Sequence, residues 1–258
     1  MKRLQEIYEY RDMIASLVKR ELRGRYQKSV LGMLWTLLNP LFQIAIYTLV
    51  FTIIFPSSLE HYAFYLTSGM IPWTFFNEAA GQGAGCIIGN ADMTKKIYFP
   101  RETLVISSVT AKLVNLLIAF TIVFLFAFLG GVGISTETIW MLPFVMLVEY
   151  LTALGFALFF ASVTVYFRDM EHIVSVLMMA WIWATPVMYT PSTVPEELQN
   201  ILRLNPMTGI IEMYHDILYY QKIPAITECI TMLIVSLIIV ALGECIFLRL
   251  EGNFAEEL

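Results

Sequence analysis

The chain has 258 residues, of which 58% are hydrophobic and only 14% charged. With a mean hydropathy of +0.70, this balance excludes an ordinary soluble globular domain and indicates a membrane protein. The net charge of −5 carries little information, because orientation in a bilayer depends on where Lys and Arg fall and not on their total.

Residues 1–30 come first and are basic and amphipathic. Leu4, Ile7, Tyr8, Ile14, Leu17, Val18 and Leu22 recur at three-and-four spacing, with Lys19, Arg20 and Arg23 on the other side. That pattern predicts a helix lying in the inner membrane interface, where each Lys or Arg beside an anionic leaflet contributes on the order of 1 kcal/mol. A long charged segment before the apolar run does not fit a cleavable signal peptide.

Six apolar windows follow, at 31–55, 63–91, 104–130, 139–166, 173–190 and 226–248. Each approaches the ~20 residues that a helix needs to cross a hydrocarbon core. The expected fold is therefore all-α and polytopic, a single unit over 1–258 with six spans. In the second window, Gly81, Gly85 and Gly89 recur every four residues, with Gly83 between them. On a helix such a face lets a neighbour approach closely, and no Gly-Lys-Ser or Gly-Lys-Thr follows that would make it a phosphate loop.

Between the second and third windows, residues 92–102 form a short polar stretch in which Pro100 limits helix continuation. Tyr98 and Phe99 stand there among Lys95, Lys96 and Arg101 as an expected exposed aromatic pair, suited to a partner that takes rings as anchors and charges as a rim. A plain solvated loop is the alternative. Residues 166–170, with Arg168 and Asp169, form a shorter version between the fourth and fifth windows. Over 191–225, Thr193 with Glu196 resembles a capping box, and Asn205–Pro206 separates two short amphipathic helices that dip into the outer leaflet.

Eight of the sixteen Lys and Arg precede the first window, and most of the others fall in the segments that six spans place on the same side. Both termini are thus expected in the cytoplasm. Within the windows the ionisable residues are Glu78, Lys112, Glu149 and Glu244. Each should face protein or water, since a charge at the bilayer centre costs about 2.5–3.5 kcal/mol. Glu149 is the candidate functional acid, with a hydrogen bond to a neighbouring helix as the structural alternative, while Lys112 and Glu244 stand near enough to the inner ends to snorkel. Trp73, Phe75, Phe76, Trp181, Trp183 and Tyr189 are candidate channel lining, because sugar rings present apolar faces that stack on aromatic rings. Trp and Tyr also mark membrane interfaces. Cys86, Cys229 and Cys245 suggest neither disulfides nor a metal site, and the three His are scattered. No catalytic set and no nucleotide loop emerge, and neither a resident cofactor nor a nucleic-acid partner is expected.

The run RYQKSVLGMLWTLLNP, from Arg25 to Pro40, resembles the opening of the permease subunit of type-2 ABC exporters, in the polysaccharide branch that exports O-antigen and teichoic acid. Gly69, Pro72, Trp73 and Phe76, then Lys96, Phe99, Pro100 and Arg101, then Arg168–Asp169 and Asn205–Pro206 carry the resemblance through the chain in order. It implies a homodimer resting on two copies of a separate ATPase that holds ATP and Mg, in the bacterial plasma membrane. It also implies that residues 92–102 are a coupling segment seated in that ATPase, with the N-terminal helix touching it. Arg20, Arg23, Arg25, Tyr26 and Trp35 would then flank the access route of an undecaprenyl-linked polysaccharide. The competing readings are an ABC exporter of a drug or small lipid and an ion-coupled carrier using Glu149.

Overall fold

The computed structural model describes residues 2–24, 31–54 and 59–258, and among them every regular element is helical. Arg25 and Tyr26 lie outside the described residues. Two helices open the chain, α1 (Lys2–Glu9) and α2 (Arg11–Gly24). The first apolar window becomes α3 (Trp35–Leu49), extended by a π turn over Val50–Ile54.

The second window begins as α4 (Tyr62–Phe76), almost entirely buried, and then breaks. Asn77–Gly81 form a π turn, and Gln82–Gly85 and Ile88–Asn90 form 3-10 turns. The expectation of a continuous glycine-faced helix fails here because four glycines within 81–89 favour helix poorly. Close approach survives: a Cβ on Gly83 would lie 3.1 Å from the Ala157 side chain, and one on Gly85 3.0 Å from the Glu171 carboxylate.

After α5 (Ala91–Lys96) comes α6 (Glu102–Leu129), a continuous 28-residue helix. A short α7 (Thr136–Ile139) leads into α8 (Leu142–Tyr166), followed by α9 (Met170–Trp181). The fifth window thus holds a 12-residue helix that ends in turns instead of crossing the full 173–190. Next are α10 (Glu196–Leu204), with no buried side chain, and α11 (Pro206–Leu218), which is buried in the bundle along most of its length. The capping box does not form, since Pro195 occupies the N-cap of α10 and the Thr193 hydroxyl bonds instead to the Thr190 carbonyl. The chain closes with α12 (Ile226–Leu250) and α13 (Phe254–Glu257).

Four described segments are long and apolar enough to cross a membrane: Trp35–Ile54, Glu102–Leu129, Thr136–Tyr166 and Ile226–Asn253. Helices α8 and α12 meet backbone to backbone. Any Cβ on Gly243 would collide with the Gly155 carbonyl oxygen, so these glycines set the distance between the two helices. Below that contact, Thr152 and Ser236 share a hydrogen bond of 2.8 Å, which satisfies both hydroxyls in an apolar setting.

Candidate functional site: the two ends of the bundle

One end gathers α1, α2, α5, the α8–α9 turn and the C-terminus, and it carries most of the basic residues. Leu17 of α2 is buried against Phe99 and Leu104, with Tyr10, Met13 and Met93 around them. Phe99 is only 5% exposed whereas Tyr98 is 85% exposed. The expected exposed aromatic pair is therefore a single ring. The extended backbone at Ile97 ends α5, and Phe99 turns inward to fill the apolar pocket made by Leu17 and Leu104. Pro100 is buried behind it, while Lys95, Lys96, Ile97 and Tyr98 form the exposed tip. Lys96 stands 3.6 Å from Asp92 in full solvent, a pair worth little to stability.

Arg101 turns away from that tip. It donates to the Glu251 carbonyl and lies over the Phe254 ring at 5.7 Å. Beside it, Glu102 is 0% exposed and receives Arg3 through two parallel bonds of 2.8 Å. The same guanidinium donates to both Glu251 carboxylate oxygens at 2.8 Å. Arg3 thus ties α1, the start of α6 and the end of α12 into one knot. A planar guanidinium with five donors suits that task, and Lys would not replace it.

Arg20 donates to the Asn90 side chain, and Arg23 is exposed on α2. Arg168, Asp169 and their neighbour Phe167 are exposed between α8 and α9. Lys112 does not snorkel outward. It is buried and pairs with Glu21 of α2 at 2.9 Å. Neither Arg3–Glu102–Glu251 nor Lys112–Glu21 is signalled by local spacing, since the partners are far apart in sequence.

Deeper in the bundle, rings and neutral hydrogen bonds hold the helices together. Trp73, Phe76, Phe156 and Trp181 interlock at centroid distances of 5.2–5.8 Å, mostly edge to face. Trp73, Phe75 and Phe76 are buried within the chain; Trp73 and Phe76 pack in this cluster, while Phe75 borders a cavity. Trp181 donates from Nε1 to Asn205 Oδ1 at 2.9 Å. That same oxygen caps α11 by accepting from the Met207 N–H, and the Asn205 amide donates to the Ala184 carbonyl and the Thr185 hydroxyl. Asn205–Pro206 is thus a joint between the end of α9 and the start of α11. Tyr189 bonds to the Trp183 carbonyl, and the Trp183 ring is 57% exposed, so it alone of the six candidates presents a large free face.

Glu149 is fully buried on α8 and accepts from the Tyr214 hydroxyl of α11 at 2.7 Å. Its arrangement is a hydrogen bond to a neighbouring helix, enclosed by protein. On the other side of the bundle, Trp35 is partly exposed and lines a cavity bordered by Phe75.

Residues 13–219 match the family described as ABC-2 type transporter. The O-antigen export system permease protein RfbA of Myxococcus xanthus is 32% identical over 257 residues, covering 99% of this chain and 98% of that protein. A protein of the same description from Klebsiella pneumoniae is 28% identical over 246 residues, 95% of this chain and 94% of its own. The polysialic acid transport protein KpsM of Escherichia coli is 21% identical over 203 residues, 78% of each chain. With a tied basic end, a glycine-set helix pair and family similarity running through most of its length, this chain belongs to the ABC-2 type transporter family.

Proposed function

We propose that the chain is the membrane subunit of an ATP-driven exporter that moves lipid-linked polysaccharide, of the O-antigen class, out of the cytoplasm. The observation that carries this reading is similarity to an O-antigen export permease over 99% of the chain. In this reading the chain crosses the inner membrane six times. Broken α4–Asn90 and the short α9 with its following turns are the second and fifth crossings, and both termini lie in the cytoplasm. Irregular backbone at membrane depth is tolerated where protein or a water-filled cavity surrounds it, which suits the 77–90 turns.

Two copies pair, and each receives a separate ATPase that binds ATP and Mg. The exposed tip of Lys95, Lys96 and Tyr98 enters the ATPase, and Phe99 passes its displacement to α2 through Leu17. Arg168 and Asp169 form a smaller second contact. The cargo is joined to undecaprenol and passes between the copies, where exposed Trp183 is the remaining aromatic candidate for lumen contact.

Deletion of the gene tests this reading in cells. Lipid-linked polysaccharide is expected to accumulate in the cytoplasm and disappear from the surface, with recovery on expression of the wild-type chain. Unchanged surface polysaccharide in the deletion strain would overturn it.

A further inference from the structure

Two polar cavities meet at Lys112. One, of about 730 Å³, lies under α2 at the basic end and is bordered by Arg20, Glu21, Ser108 and the carboxylate of Glu171. The other, of about 230 Å³, lies deeper, between α3, α4 and α6, and is bordered by Asn39, Gln43, Asn77 and Asn115 with Trp35 and Phe75, and by the carboxylate of Glu78. Gln82 and Lys112 line both cavities. Lys112 stands ten residues into α6, roughly 15 Å along its axis at ~1.5 Å per residue. A buried cation at such depth marks a functional position by default.

The lining is unusual for a membrane bundle, because carboxamides prevail where aliphatic side chains would cost nothing. Carboxamides both donate and accept, which suits sugar hydroxyls, and the two rings offer faces for sugar C–H groups. A lysine ammonium suits a phosphate oxygen as a compact point charge. The break in the second crossing places Asn77 and Gln82 on this lining. Glu21 now occupies Lys112, at 2.9 Å, and also accepts from Ser108.

We propose that this paired cavity is a binding site for the phosphate ester of a lipid-linked glycan and the sugar next to it, with Glu21 as an internal substitute for the phosphate. The proposal rests on the polysaccharide reading above and assigns its cargo a place. Lys112 exchanges the Glu21 carboxylate for a phosphate oxygen, and the carboxylate turns to the water-filled side beside Arg20. The carboxamides hold the sugar hydroxyls. Glu21 lies one helical turn after Leu17, the residue that holds Phe99, so filling the site frees the helix on which the coupling segment rests.

The test uses the full-length chain in phosphatidylcholine nanodiscs, titrated with a polyprenyl diphosphate bearing one N-acetylhexosamine. Lys112→Gln should weaken binding about tenfold or more, and Glu21→Gln should tighten it several-fold, because the competitor is removed. Asn39→Ala with Asn115→Ala should weaken the sugar-bearing lipid and leave bare polyprenyl diphosphate unchanged. Binding within twofold of wild type in both Lys112→Gln and Glu21→Gln overturns the site. Equal displacement by phosphatidylglycerol also overturns it, in favour of a plain anionic-lipid site. If Lys112→Gln does not fold, the opposite-signed Glu21→Gln effect still decides. Should the site fail while deletion of the gene still abolishes surface polysaccharide, only the location is wrong; unchanged surface polysaccharide in the deletion strain would refute the broader reading.

Discussion

The basic end and the middle of the bundle are held together by different forces. At the basic end, Arg3, Glu102 and Glu251 join three distant segments through ionic hydrogen bonds, and Lys112–Glu21 fastens α2 to α6. In the middle, the four-ring cluster that includes Phe76 and the Asn205 joint hold α9 and α11 by packing and neutral hydrogen bonds. Ion pairs can be exchanged for other ionic partners at modest net cost, whereas interlocked rings must be separated outright. In the function proposed above, that contrast suits an end that answers to a partner and a middle that must be forced apart.

Breaking the ring cluster should cost most. Trp181→Ala removes two edge-to-face contacts and the bond to Asn205, and about 3 kcal/mol of stability is expected from comparable Trp truncations. A lowered thermal midpoint in detergent checks it; an unchanged midpoint with impaired export would restore Trp181 as lumen lining. Arg3→Met leaves a fully buried Glu102 without its partner, and roughly 3 kcal/mol is expected, with most of it recovered by adding Glu102→Gln. Failure of the second change to rescue the first would show that Arg3 acts through Glu251 alone.

Smaller effects sharpen the same contrast. Tyr214→Phe leaves Glu149 without its donor and should cost about 1–3 kcal/mol, whereas Glu149→Gln keeps an acceptor for Tyr214 and should cost less. Complete loss of transport in Glu149→Gln, with an unchanged thermal midpoint, would assign the acid a proton-carrying role instead. Tyr98→Ala should change stability by less than about 0.5 kcal/mol, as expected for an exposed side chain, yet reduce ATP-driven export. Equal export by Tyr98→Ala and wild type would remove the exposed tip from the mechanism.

The sequence was legible where one kind of signal ran unbroken. Residues 104–130 and 226–248 read as long apolar helices and are α6 and α12, because their hydrophobicity is continuous and no breaker interrupts it. The 63–91 window was equally apolar, but hydropathy does not register a change from α to π and 3-10 turns, and the glycine spacing suggested a helix face. Phe99 looked exposed because its charged neighbours are exposed, while the residue that buries it, Leu17, lies on another helix. The Arg3 knot escaped for a similar reason: its partners stand 99 and 248 positions away, beyond any local pattern. Asn205–Pro206 was visible as a breaker, yet its capping and joining bonds depend on where α9 ends in space.

Reconstituted transport tests the account most directly. The chain is placed with its ATPase in proteoliposomes that carry lipid-linked polysaccharide on the ATPase face, and delivery to the opposite face is followed after ATP is added. The account predicts ATP-dependent delivery by wild type and a marked loss in Tyr98→Ala at unchanged thermal stability. ATP hydrolysis without delivery of polysaccharide by the wild-type complex would contradict it.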